Sequence, residues 1–142
     1  MTRRPMAVSV IAGFLFGATA IAAVVGFSLL FPGPLLERMW ALNPRGEVVF
    51  RAMGRISGVF LMELGAGTAV AGVGLLRGRR WGWRIAVALF TLNGCGDVVS
   101  LFITHDWIRS GTGVAVAAVF LLALMRPRVR TFFRPPDRPV RQ

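Results

Sequence analysis

Four apolar runs dominate this chain, and each is close to the length a helix needs to cross a bilayer. They are residues 6–31, 56–76, 83–104 and 107–125. A helix needs about 20 apolar residues to traverse about 30 Å of hydrocarbon, where every backbone N–H and C=O must find its partner inside the chain. The fold class that follows is all-α: a polytopic membrane protein, a bundle of four transmembrane helices with a short interfacial helix between the first and second. Charged residues make up only 16% of the 142 positions, against about 25% for a soluble domain. Four crossings leave room for one domain, residues 1–125. A basic, proline-rich tail follows, residues 126–142.

The first run could imitate a secretory signal, because Ala18-Thr19-Ala20 resembles a small-residue cleavage site. Cleavage there would leave Ile21 to Phe31 still wanting lipid, so the run is read as an uncleaved helix. Phe31-Pro32-Gly33-Pro34 stops it. Residues 34–42, PLLERMWALN up to its asparagine, set Leu35, Leu36, Met39, Trp40 and Leu42 against Glu37 and Arg38, the pattern of a helix lying in the interface. Asn43-Pro44 reads as a cap with a first-turn proline, so the helix of the second crossing is expected to begin near Pro44. Gly54 and Gly58 form a GxxxG pair on it. The turn Arg77-Gly78-Arg79-Arg80 allows only an antiparallel hairpin into the third run. His105-Asp106 reads as a solvated turn into the fourth, and the tail should lie at the headgroups or be disordered.

All seventeen basic residues are arginine. A GC-rich genome accounts for that, and so does a preference for bidentate phosphate or headgroup contacts. The formal charge of +11 does not point to nucleic acid, because the arginines cluster beside apolar runs rather than on one binding face. Arg3 and Arg4, the group Arg77, Arg79, Arg80 and Arg84, and six arginines from Arg126 onward fall on one side. Arg38, Arg45, Arg51, Arg55 and Arg109 fall on the other, partly offset by Glu37, Glu47 and Asp106. The positive-inside rule puts both termini in the cytoplasm, across a plasma (inner) membrane. Trp40, Trp81, Trp83 and Arg84 are expected as interface anchors.

Acidic and amide side chains inside the runs are the candidate functional groups, because polar groups at hydrocarbon depth need a partner or a wet cavity. Asn93, Asp97 and Ser100 are spaced four and then three apart and share one helical face, with Gly96 on it. Glu63 lies seven residues inside Ile56, and Asp97 six before Ile103. At 1.5 Å per residue both sit roughly 9–11 Å below the outer boundary. The two carboxylates are therefore expected to meet between the second and third helices, with Gly67, Ala71 and Gly74 on Glu63's side. Arg55 and Arg109 stand at the outer mouth. Two states make such a pair tolerable: pairing with an arginine, or a protonated carboxyl donating to its neighbour. Such residues either glue helices together or form a ligand, proton or ion site.

Nothing in the sequence assigns catalysis. Cys95 is the one cysteine and His105 the one histidine, so an internal disulfide, bis-histidine haem ligation and a histidine-rich metal site are excluded. No nucleophile is paired with a base, and no phosphate-cradling glycine motif appears. Catalytic residues, metal and cofactor are all expected to be none.

The stretch Glu63 to Phe90, ELGAGTAVAGVGLLRGRRWGWRIAVALF, resembles a pattern in small bacterial membrane proteins of the DoxX-like group. They have four helices, one carrying an acid followed by glycines and a short arginine turn. The Asn93-Gly94-Cys95-Gly96-Asp97 segment and the piece around Trp40 depart from that pattern. The whole chain also resembles four-helix bacterial integral membrane proteins without assigned activity. The DoxX-like resemblance implies an accessory subunit of a membrane redox assembly.

Two expectations from different classes result. One is an accessory or scaffold protein that binds lipid and other membrane proteins, or a second copy of itself. The other is a small transporter or ligand-binding protein using a Glu63/Asp97 pocket open to the outer side. Topology is directly testable. A reporter fused after Gln142 should be active only in its cytoplasmic form, and periplasmic activity there would overturn the arginine-count argument.

Overall fold

A computed structural model of the chain describes residues 4–33, 37–105 and 107–133. Expectations about residues 34–36, Asp106 and the tail from Arg134 onward lie outside them. Among the described residues the protein is all-helical. Four long helices account for most of it: α1 (Met6–Leu30), α3 (Arg55–Leu76), α4 (Arg80–Thr104) and α5 (Trp107–Met125). Each is long and apolar enough to cross a membrane. Two shorter α-helices are also described, α2 (Pro44–Ala52) and α6 (Pro127–Phe132).

The breaks between helices have local causes. Asn43 caps α2 as its sequence implies: its side-chain oxygen accepts the Gly46 N–H at 3.1 Å, with Pro44 in the first turn. The expectation that α2 runs on into the second crossing is corrected. α2 ends at Ala52 and the backbone turns left-handed at Gly54, φ +63°, before α3 starts at Arg55. Glycine adopts that conformation without steric cost. Ser57 then ties the bend down, its hydroxyl donating to the carbonyls of Phe50 at 2.8 Å and Gly54 at 2.6 Å.

Of the stretch 34–42 expected as an interfacial helix, residues 34–36 lie outside the described residues, and Arg38–Leu42 forms a 3₁₀ helix. Trp40 there is buried against Phe50, ring centroids 6.4 Å apart. Arg51 reaches half-buried Glu47 at 3.0 Å and exposed Glu37 at 3.8 Å.

The chain divides into two compact units. Unit two is Phe14–Val70. In it α1 and α3 run antiparallel, because Gly26 meets Gly58 while Thr19 and Ala22 meet Gly65. A Cβ at Gly26 would stand 2.9 Å from the Gly58 carbonyl oxygen, so these backbones are close because neither residue has one. Thr19 and Thr68 share a hydroxyl hydrogen bond of 2.8 Å across the pair. Of the two glycines in the GxxxG pair, Gly58 makes the helix contact and Gly54 makes the bend.

Unit one is Met1–Gly13 together with Ala71–Gln142. Val8, Ile11 and Ala12 of α1 are buried, and Arg4 donates to the Leu76 carbonyl at 2.9 Å. The turn between α3 and α4 is closed by Gly78, φ +64°. α3 and α4 touch backbone to backbone at Gly74 and Gly82: a Cβ at Gly74 would fall 2.6 Å from the Gly82 Cα. α6 folds back onto this end, with Val129 and Phe133 buried and Phe132 beside Gly78.

Glycine contact is therefore expected to govern stability position by position. Gly82→Val should lower unfolding free energy by about 2 kcal/mol in a detergent-denaturation titration followed by circular dichroism. Gly17→Ala, with open space around it, should be neutral or slightly stabilising. Equal effects at both positions would refute the close-approach argument.

Candidate functional site

The polar face of the third apolar run is organised by α5. Within unit one, α4 and α5 run antiparallel and stay in register along their length. The Trp83 indole N–H donates to the Leu124 carbonyl at 3.0 Å. Phe90 and Phe120 meet edge to face at 5.1 Å. Further along, Gly94 lies against Ala117, Asp97 against Gly113, and Ser100 against Ser110. Large rings fill one half of the seam, and small or polar residues fill the other.

Three of the expected residues come together in that polar half. The Asn93 side-chain amide donates to the Asp97 carboxylate at 3.2 Å, one helical turn apart. Ser110 donates to Ser100 at 3.2 Å. Asn93 is exposed, Asp97 and Ser100 are half-buried, and Ser110 is buried. The Asp97 carboxylate occupies the hollow opposite Gly113, where any Cβ would overlap it. Gly113 and Ser110 were not legible as site residues. Gly111-Thr112-Gly113 interrupting the fourth run was the available signal, since small residues mark where helices approach.

Of the two expected cations, Arg109 belongs to unit one and Arg55 to unit two. Asp97 accepts a hydrogen bond from Asn93, and Arg109 is exposed in the first turn of α5. Arg55 is exposed in unit two. It lines a cavity of about 260 Å³ with Ser28, Leu29, Pro32, Arg51 and Gly54. Glu63 also belongs to unit two and is exposed. α1 covers the other side of α3, through Gly58, Gly65 and Thr68, and Gly67 on Glu63's side has open space around it. Ala71 and Gly74, expected on that side too, belong to unit one and are buried there.

The expected anchors take several roles. Trp81 is partly exposed and lays its ring over Gly74, whereas Trp83 is half-buried with its indole donor used by the protein. Arg84 is exposed, and Trp40 is in the buried cluster described above. Among the described residues no group of three or more His, Cys, Asp or Glu is placed to hold a metal.

Chemically, the seam offers a carboxylate, an amide and two hydroxyls along one stripe. It can accept and donate hydrogen bonds to a facing helix or a small polar molecule. No family, curated protein or solved structure matches this chain.

The fit of Asp97 into the Gly113 hollow is testable by a double-mutant cycle. Gly113→Ala should displace the carboxylate from Asn93 and cost about 1 kcal/mol of stability. In an Asp97→Ala background the same change should cost much less, because the methyl then enters space already vacated. Additive effects in the denaturation titration would show that the two positions do not share the hollow.

Proposed function

We propose that this chain is a multi-pass protein of the plasma (inner) membrane, both termini cytoplasmic, that works as an accessory or scaffold subunit. It binds another membrane protein, or a second copy of itself, through the polar face of α4. The observation that supports this most is Asn93. Its amide is exposed midway along a membrane-length helix, hydrogen-bonded to a carboxylate. Left against lipid tails, such a group keeps unsatisfied donors and acceptors. A second helix that bonds to it removes that penalty, at roughly 0.6–2 kcal/mol per interhelical hydrogen bond. α4 also has the smallest buried share among the four long helices, 11% of its most apolar stretch. A helix so little covered has surface to offer.

A second reading has its own support. The hollow at Gly113 holds a carboxylate beside an amide and two hydroxyls. That set would suit a small cation or polar ligand, and the sequence offers Glu63 as a further acid.

Purification in mild detergent, with identification of bound proteins and small molecules, distinguishes the two. The accessory reading expects a defined membrane partner or a stable homo-oligomer. Asn93→Leu with Asp97→Leu should remove it while membrane insertion is retained. The pair Glu63→Gln and Asp97→Asn should leave that association largely intact, since both replacements still form hydrogen bonds. A chain that purifies alone as a monomer, and loses a bound ion or solute in the charge-neutral pair, would overturn the accessory reading in favour of the second.

A further inference from the structure

We propose that unit one carries a binding site for the phosphate of an anionic phospholipid, formed by Arg80 and Arg130 beside the aromatic wall of Trp83 and Phe133. The four residues line one cavity of about 90 Å³. Arg80 opens α4 and Arg130 lies in α6, so the site exists only because α6 folds back onto the start of α4. It does not depend on the partner reading of the α4 polar face. It rests only on four helices long and apolar enough to span a bilayer.

Neither guanidinium group makes an ion pair among the described residues. Two like charges lining one small cavity repel each other. An anion between them removes that repulsion and gains charge-assisted hydrogen bonds. The planar guanidinium fork matches phosphate oxygens two at a time, which a lysine ammonium does not do. An all-arginine basic set acquires a structural use at this position.

The wall decides in favour of a lipid. Trp83 is held by its indole bond to Leu124, so its ring is fixed and its donor is not available to a ligand. Phe133 is buried and fixed edge to face against Phe132 at 5.1 Å, and Phe132 in turn sits over Gly78. A free phosphate has no use for two fixed apolar surfaces. The glycerol and first methylenes of a phospholipid do. Placement agrees, because the cavity lies at one end of the long helices, where tryptophan and arginine meet the headgroup layer.

The test uses the full chain in mild detergent, titrated with phosphatidylglycerol and with phosphatidylcholine, bound lipid being counted by native mass spectrometry. Phosphatidylglycerol should bind more tightly. The R80Q/R130Q double variant should weaken it by roughly tenfold, and R130Q alone by roughly threefold. The equal-charge control R126Q/R128Q, at exposed positions that do not line the cavity, should stay within about twofold of wild type. An equal loss in that control would mean diffuse surface charge and would overturn the site. Unchanged binding in R130Q would do so too. Displacement of the lipid by millimolar inorganic phosphate would assign the cavity to free phosphate and overturn the lipid assignment.

Discussion

The structure depends on helix backbones coming close enough to touch, and glycine is what permits it. In lipid, apolar side chains gain nothing by leaving one hydrocarbon surface for another, so association relies on packing and on interhelical hydrogen bonds. Both fall off over an ångström or two. Gly26 with Gly58 in one unit, and Gly74 with Gly82 in the other, bring the backbones to separations that no other residue allows. Between such points larger groups complete the fit: Thr19 with Thr68, Phe90 with Phe120, and the Trp83 indole on the Leu124 carbonyl.

The polar seam of α4 and α5 is a consequence of the same geometry. Asp97 is tolerated midway along α4 because Gly113 leaves room for its carboxylate and Asn93 donates to it. A carboxylate with one amide donor is only partly satisfied in a medium without water, since it can accept several hydrogen bonds. The remaining capacity, together with the exposed Asn93 amide, is what a partner helix or a small ligand would use. The Ser110 hydroxyl donates to that of Ser100, and the two extend the stripe.

Arginine shapes the other end of unit one. The α3–α4 turn and the segment after α5 each carry several arginines, and α6 brings the two sets together by burying Val129 and Phe133. The burial of two apolar residues thus positions a cation. Exposed guanidinium groups share one short helix with half-buried Phe132, and buried Phe133 caps it, an arrangement suited to the boundary between hydrocarbon and headgroups.

Much of this was determined by the sequence itself. Run length and the scarcity of charge dictate four long helices, because lipid admits no other economical solution for the backbone. The Asn43-Pro44 start and the Gly78 turn follow from local conformational preference, as does the stripe Asn93, Asp97, Ser100 from helical periodicity. Gly54 was a breaker rather than a packing glycine, which a spacing pattern alone could not distinguish. Tertiary structure decided the partners. Periodicity assigns a residue to a face but not to the helix it meets, so Gly113 and Ser110 behind the Asp97 face were invisible until α5 was seen in register with α4. Helical periodicity put Asn93 and Asp97 on one face, and the folded α4 adds the hydrogen bond between them. The return of α6 onto the start of α4 was equally out of reach, because Val129 and Phe133 sit in a stretch whose composition reads as an arginine-rich tail. Long-range contact is set by shape complementarity between elements, and no local pattern records it.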